Sequence, residues 1–136
     1  MKKIMIVEDD LALYNVYSME LKIKGYEVVN VPDGLAAIEA FRTQRPDLVL
    51  LDLMLPGRNG MQILEELKSD EELMATKVVM LTNYGDDNNV TKALRLGAED
   101  YMLKYNIVPS ELSEKVAHYL GDTSSSIVNI IENEDA

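Results

Sequence analysis

The chain has 136 residues, of which 47% are hydrophobic, and its 24 acidic and 13 basic residues give a net charge of −11. This length suits one domain with an ordinary core, and the lack of cysteine excludes disulfides and thiolate sites. The negative charge argues against direct binding to nucleic acid, and without a long apolar run or a signal-peptide core we expect a cytoplasmic protein that does not enter a membrane.

Five short runs rich in valine, isoleucine and leucine are each followed by a longer segment with apolar residues three or four positions apart. The runs predict strands at residues 4–7, 27–31, 48–51, 78–81 and 101–103. The intervening segments predict helices with apolar positions at Leu11, Tyr14, Tyr17 and Leu21, at Ala37, Ile38 and Phe41, at Ile63, Leu64 and Leu67, at Val90, Ala93 and Leu94, and at Leu112, Val116 and Leu120. This (βα)5 pattern indicates a doubly wound α/β fold, with helices on both faces of a parallel sheet.

The ligand site of a doubly wound sheet lies beyond the carboxyl ends of its strands. The residues at these positions are Glu8, Asp9 and Asp10 after the first strand, Asp52 after the third, Thr82 after the fourth and Lys104 after the fifth. Crowded carboxylates repel each other unless one is protonated or a cation lies between them. An open, oxygen-lined acidic site suits Mg²⁺. Lys104 and Thr82 would then bind an anion beside the metal, and a phosphoryl group is the natural candidate.

Each of these residues also has a simpler explanation. An aspartate after a strand commonly caps the next helix or closes a turn, and an acidic run before a helix compensates its dipole. We consider a coincidence of all of them at one sheet edge a poor alternative, because the positions follow the strand order that places a ligand site there.

Four segments make the sequence similar to the response-regulator receiver family of two-component signalling, over about residues 2 to 121. They read I-V-E-D-D, P-D-L-V-L-L-D-L-M-L-P-G-R-N-G, V-V-M-L-T-N and G-A-E-D-Y-M-L-K. The resemblance implies a flavodoxin-like, five-stranded parallel sheet of order 2-1-3-4-5. It also implies a receiver domain over residues 1–121, followed by an acidic tail or linker over residues 122–136.

The resemblance also implies the activity and the metal site. Asp52 would accept a phosphoryl group from the phosphohistidine of a histidine kinase or phosphotransfer protein. Mg²⁺, or Mn²⁺, would be held by Asp9 and Asp52 directly, by Glu8 through water and by the backbone carbonyl of Met54. Such a domain is not a conventional enzyme, although it catalyses its own phosphorylation and dephosphorylation. Asp10 lies one position beyond the acidic pair, and we expect it only to cap a helix.

The remaining roles implied by the resemblance concern signalling. Thr82 would be the switch hydroxyl, Lys104 the phosphate-binding cation and Tyr101 the aromatic residue whose rotamer follows the phosphorylation state. An output protein, which the sequence does not identify, would bind the face formed by the fourth helix, the fifth strand and the fifth helix.

The sequence departs from the usual family pattern at three positions. Asn83 replaces a small residue and is expected to narrow access to the phosphoryl site, while Tyr84 is expected to overhang the site and slow the attacking water. Tyr105 follows Lys104 where the family usually has a proline in a cis peptide bond. Because a cis bond before another residue costs about 3–4 kcal/mol, we predict a trans bond with Lys104 still directed to the acidic site.

Other classes of protein fit less well. A phosphatase of the haloacid-dehalogenase type needs an Asp-x-Asp motif after its first strand, whereas Asp52 follows the third and precedes Leu53 and Met54. A flavodoxin-type carrier shares the fold, but the acidic residues after the first strand would repel the flavin phosphate. A pseudo-receiver that binds partners without phosphorylation remains the alternative to the phosphoacceptor.

Overall fold

The computed structural model describes residues 1–83 and 87–122 of the chain. Strands and helices alternate in the order β1 (Lys3–Val7), α1 (Leu11–Ile23), β2 (Glu27–Val31), α2 (Ala37–Gln44, preceded by a 3₁₀ turn at Gly34–Ala36), β3 (Leu48–Asp52), α3 (Gly60–Ser69), β4 (Lys77–Thr82), α4 (Asp87–Leu96), β5 (Asp100–Leu103) and α5 (Pro109–Leu120). The five strands predicted from the sequence are confirmed, each to within one residue at either end.

The strands form one parallel sheet in the order β2-β1-β3-β4-β5, as the resemblance implied. Strand β2 lies on one side of β1, whereas β3, β4 and β5 lie on the other. The carboxyl ends of the neighbouring strands β1 and β3 therefore flank the switch in strand order. No helix of the described residues is long and apolar enough to cross a membrane.

The sheet is covered on both faces, and its apolar residues divide into two cores. Phe41, Leu64 and Met80 belong to the core that β-strand residues share with α2, α3 and α4. Tyr17 and Val116 belong to the opposite core, which α1 and α5 form with the sheet. All five residues of the central strand β3 are buried, as expected for a strand with helices on both sides.

Two apolar positions in the predicted helix patterns do not face the core. Leu11 lies at the first position of α1 and Leu94 in the second half of α4, and both side chains are exposed. Only Ala93 is fully buried among the residues of α4 whose side chains are described. The predicted apolar face of this helix was therefore too wide, since it included the exposed Leu94.

Two predictions fall partly outside the described residues. Tyr84 belongs to the segment 84–86, and all but the first residue of the predicted tail lies in the segment 123–136. The division into a receiver domain at 1–121 and a tail at 122–136 stays a prediction. Asp122 itself pairs with Lys2 at 2.7 Å and accepts a hydrogen bond from the hydroxyl of Tyr26, which joins the end of α5 to the starts of β1 and β2.

Candidate functional site

The carboxyl ends of β1 and β3 bring three carboxylates together. One carboxylate oxygen from each of Glu8, Asp9 and Asp52 lies within 4.8 Å of the others. Glu8 and Asp52 are buried, whereas Asp9 is exposed. The cluster therefore has two carboxyl groups inside the protein and one at its opening to solvent, as the strand-end residues predicted.

Lys104 extends from the end of β5 between the two buried carboxylates. Its Nζ lies 2.9 Å from Asp52 Oδ2, 3.1 Å from Glu8 Oε1 and 3.3 Å from Glu8 Oε2. The bond to Oε2 has hydrogen-bond geometry, while Oε1 is buried and accepts no hydrogen bond from the described residues. One ammonium group thus serves two carboxylates, and one carboxylate oxygen is left without a donor.

The pKa values reflect this imbalance. Burial raises the pKa of Glu8 to about 7, and the nearby charge of Asp52 adds to the rise, although a hydrogen bond from the Asp10 N–H and the Lys104 ammonium oppose it. Burial alone would lower the pKa of Lys104, but its hydrogen bonds to Asp52 and Glu8 outweigh burial and raise that pKa above its ordinary value. The ammonium is therefore fixed in its charged form, and burial favours the protonated form of Glu8.

Backbone contacts hold the end of β1 in place. The Glu8 N–H donates to the Val31 carbonyl at 3.1 Å, and the Asn30 side-chain amide donates to the carbonyls of Ile6 and Glu8 at 3.2 Å each. The Asp10 N–H donates to Glu8 Oε2 at 3.0 Å. Strand β2 and the first residue before α1 therefore fix both the backbone and the side chain of Glu8.

The loop after β3 positions Asp52 in a similar way. Asp52 Oδ1 accepts a hydrogen bond from the Met54 N–H at 3.0 Å, and the Leu53 N–H donates to the Leu81 carbonyl at 3.1 Å. Gly60 packs so closely beneath this loop that an added Cβ would lie 2.1 Å from the Asp52 carbonyl oxygen. Only glycine fits there, so the start of α3 supports the backbone of Asp52.

The predicted switch residues lie on β4 and β5. Thr82 is buried, and its hydroxyl donates to the Met102 carbonyl at 3.4 Å rather than to a carboxylate of the acidic cluster. Tyr101 is 40% exposed, and its carbonyl accepts a hydrogen bond from Lys115 Nζ. Asn83 is exposed after the end of β4, and Tyr84 lies outside the described residues.

Tyr105 has a contact that the sequence analysis missed. Its hydroxyl donates to Asp10 Oδ2 at 2.6 Å, and its ring centroid lies 5.6 Å from Lys104 Nζ. Asp10 does cap α1, since its Oδ1 accepts from the Leu13 N–H at 3.2 Å. The expectation that Asp10 only caps a helix was wrong, because its second oxygen joins the loop after β5. The described residues contain no cis peptide bond, so the predicted trans bond between Lys104 and Tyr105 is confirmed.

The acidic cluster fits a hydrated divalent cation. Glu8 Oε1 is buried and accepts no hydrogen bond from the described residues, and the pKa of Glu8 is raised. Both observations indicate too little positive charge at the site. The oxygens of Glu8, Asp9 and Asp52 are the hard ligands that Mg²⁺ and Mn²⁺ prefer. The exposed side chain of Asp9 leaves room for the waters that Mg²⁺ retains.

Known proteins are similar to this chain in sequence and in fold. Curated relatives include the DNA-binding response regulator MtrA of Mycobacterium tuberculosis, 39% identical over 115 residues, and the probable transcriptional regulator ycf27 of Cyanophora paradoxa, 34% identical over 124 residues. These matches cover 85% and 91% of this chain. The chain spans about half the length of the curated relatives it matches, 49% of MtrA and 50% of ycf27.

Solved structures of response regulators have the same fold as this chain. The BeF3-activated N-terminal receiver domain of Klebsiella pneumoniae RstA superposes with a TM-score of 0.79 at 35% identity, over 88% of this chain and 98% of that one. The Mn²⁺-bound form of the response regulator Rcp1 gives 0.79 at 30% identity, over 88% and 95%. The response regulator receiver domain family matches residues 4–117. The chain therefore belongs to the response regulator receiver domains of two-component systems.

Proposed function

We propose that this receiver domain accepts a phosphoryl group on Asp52 from the phosphohistidine of a histidine kinase or phosphotransfer protein. The observation that carries the proposal is the contact of Lys104 Nζ with Asp52 Oδ2 at 2.9 Å, inside a cluster that also contains Glu8 and Asp9. A nucleophilic carboxylate, a cation for the transferred group and a site for a divalent metal are thus adjacent.

The metal site uses the residues that the sequence analysis named. Asp9 and Asp52 would bind Mg²⁺ or Mn²⁺ directly, Glu8 through a water molecule and Met54 through its backbone carbonyl. A bound divalent ion supplies charge neutralisation for the phosphoryl oxygens during transfer. The acidic cluster and the similarity to the Mn²⁺-bound Rcp1 structure support this assignment.

The chain's own residues perform the remaining steps. An Asp52 carboxylate oxygen attacks phosphorus, the bond from phosphorus to the donor imidazole nitrogen breaks, and the product is an aspartyl phosphate. A carboxylate nucleophile needs no general base. Lys104 Nζ exchanges its contact with Asp52 for a phosphoryl oxygen. The Met54 N–H, which contacts Asp52 Oδ1, and the N–H after Thr82 donate to the others. Hydrolysis of this acyl phosphate by water returns the carboxylate and releases inorganic phosphate.

The switch would follow from a change of partner at Thr82. Its hydroxyl leaves the Met102 carbonyl, a contact already long at 3.4 Å, and donates to the phosphoryl group. Tyr101 is next to Met102 on β5, and its exposed side chain is then free to turn inward. The face formed by α4, β5 and α5 carries this change to an output protein. Asn83 and Tyr84 would modulate access of the donor and of water.

We propose that the domain is not a conventional enzyme, since the phosphoryl group that it transfers ends on its own Asp52 side chain. The named relatives are DNA-binding or transcriptional regulators of about twice the matched length. For residues 1–136, whose net charge is −11, we retain the prediction of no direct contact with nucleic acid.

Substitution of the phosphoacceptor tests the proposal. Asp52→Asn retains the size of the side chain but removes the nucleophile, so we expect acetyl phosphate with Mg²⁺ to label the wild type and not the variant. Asp47→Asn is the matched control, because Asp47 lies directly before β3, away from the acidic site, and accepts a hydrogen bond from the Lys3 N–H at 2.7 Å. Equal labelling of wild type and Asp52→Asn would overturn the assignment, and no labelling of the wild type would favour the pseudo-receiver.

A further inference from the structure

The hydrogen bond between Tyr105 and Asp10 joins two loops that border the acidic site. Tyr105 follows β5, Asp10 precedes α1, and the distance of 2.6 Å between hydroxyl and carboxylate is short. A hydroxyl bound to a carboxylate is among the stronger hydrogen bonds in proteins because its acceptor is charged. We call this contact the 10–105 clasp.

The backbone at Tyr105 has an unfavourable conformation. Its φ of +70° is in the left-handed region, where residues other than glycine are seldom found and a bulky side chain carries a steric cost. Lys104 precedes it, and the Lys104 N–H donates to the Thr82 carbonyl at 2.8 Å. The backbone of Lys104 is thus held on its amino side by β4, whereas on its carboxyl side it continues into an unfavourable conformation. A contact that anchors Tyr105 also fixes the residue before it.

The ring of Tyr105 lies beside the ammonium that the clasp would position. Its centroid is 5.6 Å from Lys104 Nζ, within the range of a cation–π interaction. The ammonium must keep its aim at Asp52 while Glu8, at 3.1 Å, competes for it. A ring anchored at its hydroxyl restricts the directions in which the lysine side chain can move.

We propose that Tyr105, tethered by Asp10, is a positioning residue for phosphoryl transfer that keeps Lys104 aimed at Asp52. This inference rests on the proposed function of Asp52 as the phosphoacceptor. Tyr105 acts through Lys104 and contacts neither the carboxylate of Asp52 nor Thr82 in the described hydrogen bonds.

Two substitutions open the clasp in different ways. Tyr105→Phe removes the hydroxyl but retains the ring and every charge, while Asp10→Ser removes the oxygen that Tyr105 reaches but retains an oxygen that caps α1. We expect each to slow phosphorylation by phosphoramidate at saturating Mg²⁺ about 3- to 10-fold, since misalignment of a charged group carries losses of this size or more. The double variant should be no slower than the slower single variant, because both remove the same contact.

Tyr26→Phe is the matched control. It removes an equally short hydrogen bond, from the Tyr26 hydroxyl to Asp122 Oδ2 at 2.6 Å, at the opposite edge of the sheet. We expect its rate to match that of the wild type. If Tyr105→Phe lowers the unfolding temperature but phosphorylates as fast as Tyr26→Phe, Tyr105 is a structural residue only and the proposal fails.

The NMR signal of the Lys104 ammonium protons separates this proposal from the proposed function. We expect these protons to be protected from exchange in the wild type and in Tyr26→Phe, and to exchange faster in Tyr105→Phe and Asp10→Ser. Unchanged exchange overturns the role of the clasp whatever the phosphorylation result. Faster exchange in a protein whose wild type is never phosphorylated supports the positioning of Lys104 and overturns the assignment of Asp52.

Discussion

One ammonium group, that of Lys104, contacts two buried carboxylates at the edge of the sheet. These carboxylates belong to Glu8 and Asp52. Burial of a charge without full compensation costs free energy, and the protein can reduce that cost by binding a proton or a cation. Burial raises the pKa of Glu8 to about 7, so a proton on Glu8 is one way to reduce that cost. A divalent ion at the same place would compete with this proton, so the acid chemistry of Glu8 and the metal affinity are linked.

Replacing Glu8 tests the cost of the unbalanced charge. The folded protein holds a proton on Glu8 between pH 4.5 and about 7 that the unfolded chain has released, so this contribution to stability is lost as the pH rises through that window. In metal-free buffer, Glu8→Gln should therefore be more stable than the wild type at pH 8, by on the order of 1 to 3 kcal/mol, and no more stable near pH 4.5. Urea unfolding across this range measures the difference.

The control for this comparison is Glu114→Gln, which removes an exposed carboxylate from α5. We expect it to follow the wild-type pH dependence within a few tenths of a kcal/mol. A wild type whose stability does not fall relative to Glu8→Gln between pH 4.5 and 7 would show that Glu8 is charged throughout that range.

Asp9 is the exposed member of the cluster, and its removal separates metal binding from folding. Because Asp52 and one carbonyl are too few ligands for a well-hydrated ion, Asp9→Ala should abolish measurable Mg²⁺ binding in a calorimetric titration. Stability without metal should change little, since the side chain is exposed. Asp33→Asn removes the same charge from the loop after β2 at the same sheet edge and should bind as the wild type does. An unaltered titration for Asp9→Ala would remove Asp9 from the metal site.

The loop after β3 makes a close backbone contact with the start of α3. Gly60 is the first residue of that helix, and its missing side chain lets the Asp52 carbonyl and the Leu53 Cα approach. The capping box of Asn59 and Gln62 fixes the helix in this position. Asp52 is thus supported by a helix terminus as well as by its own strand.

Gly60→Ala should disturb both stability and chemistry. The new Cβ would need to lie 2.1 Å from one backbone oxygen and 2.8 Å from Leu53 Cα, so the loop must move, at a cost of at least about 2 kcal/mol. Thermal unfolding and acetyl phosphate labelling should both show the loss. Gly25→Ala is the contrast, because no atom of the described residues lies within 4 Å of its Cβ position and only the φ of +95° adds a cost of about 1 kcal/mol. Similar losses for the two variants would contradict the contact with Asp52.

Sequence periodicity was sufficient for the strands, because each is a short run rich in apolar residues that is separated from the next run by a helix pattern. It also predicted Glu8, Asp9, Asp52, Thr82 and Lys104 at one edge, since the carboxyl ends of parallel strands share that edge. It could not predict the 10–105 clasp, which joins side chains 95 positions apart through a turn with a left-handed residue. The exposure of Leu94 was missed for a related reason, because helix periodicity defines a face but not how deeply the helix is buried.

Across the whole molecule, the charge is as unbalanced as it is within the site. The net charge of −11 produces self-repulsion in the compact state, which any salt screens. Mg²⁺ would act by this general effect and, in addition, by binding at one place. The two contributions can be separated because only the second depends on Asp9.

We therefore expect MgCl2 to raise the unfolding temperature more than NaCl of equal ionic strength. A ligand at ten times its Kd stabilises the folded state by about 1.4 kcal/mol, which corresponds to roughly 5 °C for a domain of this size. Asp9→Ala should show only the smaller rise common to both salts. Scanning calorimetry of the two proteins in matched buffers gives all four values. If both salts raised the wild-type unfolding temperature equally, Mg²⁺ would be acting on the overall charge alone, and the cluster of Glu8, Asp9 and Asp52 would not be a metal site.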